Sequence, residues 1–165
     1  MVKRISTSLL FIFAIGIVNA QHLGLTFQEA ENQGIRITHL DSIYKSAVHA
    51  DTSLAVFKAD AEQQAMSEAY IKLLQDLGKF LTENNFKWEN PVSCFNRIYF
   101  SPDGSIDYFL YNFLNKNVKT GEALSQEKQI AFNHLLNLFI KDYKISLTAK
   151  ERFAQCSPTR YLPQK

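Results

Sequence analysis

"FNRIYFSPDGSIDYFLYNF", residues 95–113, is two aromatic-rich runs separated by Ser101, Pro102, Asp103 and Gly104. Proline at the second position and glycine at the fourth suit a type I turn closed by a left-handed glycine. The stretch therefore predicts a β-hairpin. A regular register sets Phe100 against Ile106, Ile98 against Tyr108 and Asn96 against Leu110. One face then carries Ile98, Phe100, Ile106, Tyr108 and Leu110 and reads as the core face. The other carries Phe95, Arg97, Tyr99, Asp107, Phe109, Tyr111 and Phe113.

That second face is the unusual one, because a solvated sheet face alternates to polar residues. In this register Arg97 lies opposite Phe109, Tyr99 opposite Asp107, and Phe95 opposite Tyr111. An arginine over a ring and cross-strand aromatic pairs are each favourable by roughly 0.5–1 kcal/mol. Either the N-terminal helices cover this face, or Arg97, Tyr99, Phe109 and Tyr111 form a platform for a protein, peptide or envelope glycan. A catalytic pocket is a third reading, and it has the least support.

Helices are expected on both sides of the hairpin. From Ala59 to Asn84, Ala61, Ala65, Ala69, Tyr70, Leu73, Leu74, Leu77, Phe80 and Leu81 recur at three- and four-residue steps. Ser125 is a suitable N-cap for a second long helix ending near Asp142. Its inward residues are expected to be Ile130, Ala131, Leu135, Leu138 and Phe139. Upstream, Thr26 and Glu29 fit a capping box, Gly34 a left-handed stop, and Thr38 the start of another short helix. Residues 143–162 are expected to hold one or two short strands. The fold class is α+β, with two long amphipathic helices packed on a small antiparallel sheet built around the hairpin.

The first twenty residues stand apart. Lys3 and Arg4 precede a short apolar run, and Val18 and Ala20 are small residues where a signal peptidase cuts. The run is shorter than the roughly 20 residues that span a bilayer. This predicts a signal peptide over 1–20, a mature start at Gln21, one domain over 21–165, and export to a periplasmic or extracellular location. Stable membrane insertion after cleavage is not expected. The segment removes two of the 18 basic residues and none of the 16 acidic ones. The mature chain is then charge-balanced, which gives no electrostatic reason to expect nucleic acid.

Two cysteines remain, Cys94 and Cys156. Export favours a single bridge between them, with two separate buried thiols as the alternative. His22, His39, His49 and His134 are scattered, and no metal, nucleotide or serine-hydrolase motif is present, so no metal or cofactor is expected. Asp103, Ser105 and Asp107 lack the acidic twelfth position of a calcium loop and belong to the hairpin turn.

The order long helix, hairpin with "DGSI" turn, helix, final strand, over residues 59–160, resembles the C-terminal domain of TonB-type energy transducers. Such domains contact outer-membrane receptors by strand addition. The Tyr-Pro pair they carry before the hairpin is absent, as is a Pro-rich spacer. The resemblance therefore implies a small extracytoplasmic interaction module rather than a force transmitter. The expected function is non-catalytic binding through the aromatic face or a sheet edge. A small envelope hydrolase or thiol enzyme is the alternative, requiring histidine beside cysteine or a carboxylate pair. A structural envelope protein is the third.

Overall fold

The computed structural model describes residues 22–114 and 124–163. The signal segment and its expected junction with Gln21 lie outside these residues. The fold is α+β, with four α-helices and a five-stranded sheet. Strand β1 (Leu23–Thr26) leads directly into α1 (Phe27–Asn32), with Thr26 and Glu29 forming the capping box. Helix α2 (Ile37–Ile43) follows, starting one residue before Thr38, with Arg36 at its N-cap. Strand β2 (Lys45–Ser46) is short, and a single 3-10 turn over Thr52–Leu54 follows it.

Helix α3 (Asp60–Glu83) buries Ala69, Tyr70, Leu73, Leu77 and Leu81 of the expected stripe, and Met66 beside them, while Ala61 is exposed and Ala65, Leu74 and Phe80 are half-buried. Helix α4 (Gln126–Asp142) begins at the Ser125 cap, but its buried residues are Phe132, Leu136, Phe139 and Ile140. Ile130 and Leu138 are 62% and 48% exposed. Two apolar stripes compete on this helix, and the one holding two phenylalanines faces inward. Among the described residues, no helix is long and apolar enough to cross a membrane.

The sheet order is β1-β4-β3-β5-β2, with β3 (Val92–Phe100), β4 (Ile106–Phe113) and β5 (Phe153–Tyr161) antiparallel at its centre. The two outer strands run parallel to their neighbours, so the sheet is mixed rather than purely antiparallel. On the β1 edge, α4 takes the place of another strand. Gly24 N–H donates to Asn137 Oδ1 at 2.9 Å, and its carbonyl accepts from Asn133 and Asn137 Nδ2 at 3.0 and 2.9 Å. A Cβ at Gly24 would lie 2.9 Å from the Leu136 side chain, so glycine permits this approach.

The hairpin closes as its turn chemistry dictates. Gly104 has φ +84, Gly104 N–H donates to Ser101 O, and Phe100 pairs with Ile106. The register then departs from the regular one. An irregularity at Tyr99/Phe100 lets Tyr99 pair with Tyr108, Ile98 with Phe109 and Asn96 with Tyr111. One extra residue in β4 exchanges the faces beyond it. Asp107 is the residue involved; it accepts from Tyr44 OH and Ser101 Oγ, each at 2.8 Å, in a buried position. Phe109, Tyr111 and Phe113 therefore join Cys94, Ile98 and Phe100 in the main core with α3 and α4. Tyr99, Tyr108 and Leu110 take the opposite face, where they pack with Leu25, Leu40 and Tyr44 from β1 and the N-terminal helices.

Candidate functional site

Arg97, Tyr99, Phe109 and Tyr111, the residues of the alternative platform reading, do not share a surface. Phe109 and Tyr111 are 0% and 1% exposed on the main core face. Burial pushes the Tyr111 hydroxyl up to about 12, and it accepts a hydrogen bond from Asn133 Nδ2 at 3.0 Å. Tyr99 is also fully buried, on the opposite face beneath α2, where its hydroxyl donates to Asp41 Oδ1 at 3.1 Å. Of the four, Arg97 alone reaches the surface. Its side chain is 29% exposed, and Nη2 lies 2.5 Å from Asp41 Oδ1. The bulge sends Phe109 and Tyr111 of β4 to the main core face and leaves Arg97 and Tyr99 of β3 on the other.

The face that carries Arg97 is only partly covered. Helices α1 and α2 shield Tyr99 and Leu110, and Tyr108 more loosely. Further along, Arg97 pairs with Cys156, Phe95 with Pro158 and Ser93 with Arg160. Cys156, Pro158 and Arg160 are exposed, and Phe95 and Arg97 are half-buried. The ring of Phe27, the first residue of α1, meets Phe95 edge-on at 6.2 Å. A small cleft of about 240 Å³ joins this surface to α2, lined by Asp41, Tyr44, Ser46, Arg97, Ala154 and Cys156.

Among the described residues, the neighbouring edge of β5 is also open beyond Ala154. Strand β2 pairs with Phe153 and Ala154 and goes no further. The Ala154 carbonyl accepts from Ala47 N–H, so the backbone groups of Cys156, Pro158 and Arg160 also point outward by strand alternation. Pro158 has no N–H to offer. Gln155 Nε2 donates to the Cys156 carbonyl at 3.2 Å and Ser157 Oγ to the Pro158 carbonyl at 2.8 Å. These are features by which natural sheets discourage edge-to-edge pairing. Pro158 was the sequence signal for this edge, since proline inside a strand is confined to edges and bulges.

The cysteines are not bridged; both are free. Cys94 pairs with Thr159 and Cys156 with Arg97, an offset of three positions between neighbouring strands. At about 3.4 Å per residue this is roughly 10 Å, beyond the ~7 Å limit for a disulfide. The side chains also project to opposite faces. Cys94 lies in the main core, its Sγ 3.2 Å from Asn96 Oδ1, and burial pushes its thiol up to about 12. Such a thiol is protonated and inert near neutral pH. In native protein a thiol reagent should therefore modify Cys156 alone, with Cys94 reacting only on unfolding. Air-oxidised protein that showed no thiol after denaturation would contradict this geometry.

Among the described residues, no group of three or more His, Cys, Asp or Glu is placed to hold a metal ion. A second, larger cavity lies between the C-terminal end of α3 and the first turns of α4. Neither cavity has a histidine in its lining. Comparison of the chain with protein-family models, curated proteins and solved structures found no match.

Proposed function

We propose that this is an exported, non-catalytic binding module whose partner is a protein docking on the uncovered half of the sheet. The observation that carries this reading is the partial cover. Among the described residues, the same sheet face that α1 and α2 bury at Tyr99 and Leu110 is exposed at Cys156, Pro158 and Arg160 and half-buried at Phe95 and Arg97. Aromatic and arginine side chains are the types enriched where proteins meet. The apolar side chains of Phe95 and Pro158 stand opposite each other here, with Arg97 and Arg160 on either side. Arg160 has no ion-pair partner among the described residues, so a carboxylate beside an apolar side chain is the complementary partner chemistry. The capped edge of β5 favours docking on the face over strand addition. A thiol enzyme finds less support, because Cys94 is buried and protonated and the residues around Cys156 are Asp41, Tyr44, Ser46, Arg97 and Ala154.

The test is retention of an envelope protein by immobilised mature protein and by a Phe95→Ser/Arg160→Glu variant. Truncating interface anchors typically costs about 2 kcal/mol or more. The variant should lose the retained partner by at least tenfold while its melting temperature stays within a few degrees of the parent. Equal retention by both proteins would remove the sheet face as the docking surface.

A further inference from the structure

The larger cavity is independent of the sheet face and has its own chemistry. It measures about 660 Å³, within the range of small-molecule sites. Phe86, Trp88 and Phe113, all largely buried, line it. The walls are aliphatic: Leu114, itself 49% exposed, with Leu124 and Leu135. Ala131 sits between the latter two on α4, and its small side chain leaves the hollow open. The uncharged polar groups of Asn85, Asn90 and Ser93 also line it.

The charged groups decide the ligand class. Lys128 Nζ lies 4.6 Å over the Phe86 ring and 2.8 Å from Glu89, so its charge is already answered. Glu127 is the third charge in the lining. An anionic head would meet two carboxylates against one ammonium. A cationic head would face Lys128 and gain little from a screened surface acid. An uncharged head hydrogen-bonded to the amides and hydroxyl has the smallest desolvation cost. We propose that this cavity binds a neutral amphiphile, an aliphatic chain carrying an uncharged, hydroxyl-bearing head.

Trp88 is the only tryptophan in the chain and lines the cavity, so its emission reports occupancy. The purified protein is titrated with monooctanoylglycerol, octanoate and octyltrimethylammonium, each below its aggregation concentration, and calorimetry gives the stoichiometry. The glyceride is expected to shift Trp88 emission saturably at one per chain and to bind at least about tenfold tighter than either ion. Ala131→Phe, at an exposed position of α4, fills the hollow; it should abolish the saturable change and leave the thermal transition in place. No saturable change, a change that survives Ala131→Phe, or equal or tighter binding of either ion would overturn the proposal.

Discussion

Phe109→Ala is expected to destabilise the fold by about 3–5 kcal/mol, the usual cost of removing a fully buried aromatic. Phe109 is 0% exposed and belongs to the cluster formed by the central strands with α3 and α4. Folded proteins are stable by only about 5–15 kcal/mol, so this one substitution removes a large share. For a chain of this size it corresponds to a fall in melting temperature of roughly 6–20 °C. Denaturant titration measures the loss, and a loss below about 1 kcal/mol would mean Phe109 is not core. Hydrogen exchange adds the location. In Phe109→Ala the loosened amides should lie in α3 and α4, whereas in Leu110→Ala they should lie in α1 and α2. The reverse pattern would restore the regular hairpin register.

Gly104→Ala should be nearly as damaging, for a different reason. Gly104 has φ +84, and an added Cβ would lie 2.6 Å from the Leu147 carbonyl and 2.8 Å from that of Ile145. Both neighbours are backbone, and Ile145 N–H is also bonded to the Gly104 carbonyl at 3.1 Å. The segment after α4 therefore cannot withdraw without breaking its contact with the hairpin turn. Left-handed strain costs about 1–3 kcal/mol, and the two contacts add to it. A total of about 3 kcal/mol is expected by denaturant titration, while Gly34→Ala, also at positive φ but with open space around it, should lose far less. Equal losses at the two glycines would show that conformation alone, and not the packed turn, sets the cost.

Much of the fold was legible because its signals are local. The period of α3, the Ser125 cap, the Thr26–Glu29 capping box and the Pro102–Gly104 turn each depend on residues a few positions apart. The β4 bulge was not legible, because both faces of the hairpin are rich in aromatics and a one-residue slip leaves each face apolar. Asp107 was the available hint: a carboxylate in a run of aromatics finds its partners at Tyr44 and Ser101 only when the strand is displaced. Strands β1 and β2 are four and two residues long and pair in parallel with distant strands, so no turn announces them. The cysteine pairing failed with the register, since it depends on which residues of β3 and β5 stand opposite each other. For the candidate site, Arg97 was readable from its place on the second face. Its exposed neighbours Cys156, Pro158 and Arg160 required knowing that β5 is a single nine-residue strand beside β3.

The partially covered sheet face is tested most directly by cross-linking from its own thiol. Cys156 is exposed on that face and Cys94 is buried, so a benzophenone maleimide attaches at one position. A Cys156→Ser/Ile71→Cys protein carries the same probe on the exposed surface of α3, where Ile71 is 54% exposed. Each labelled protein is illuminated in an envelope extract of the native host. A discrete protein adduct from Cys156 that is absent from the Ile71→Cys probe, and that is lost with Phe95→Ser/Arg160→Glu, is the predicted result. An adduct formed equally from both positions, or only from α3, would contradict the account.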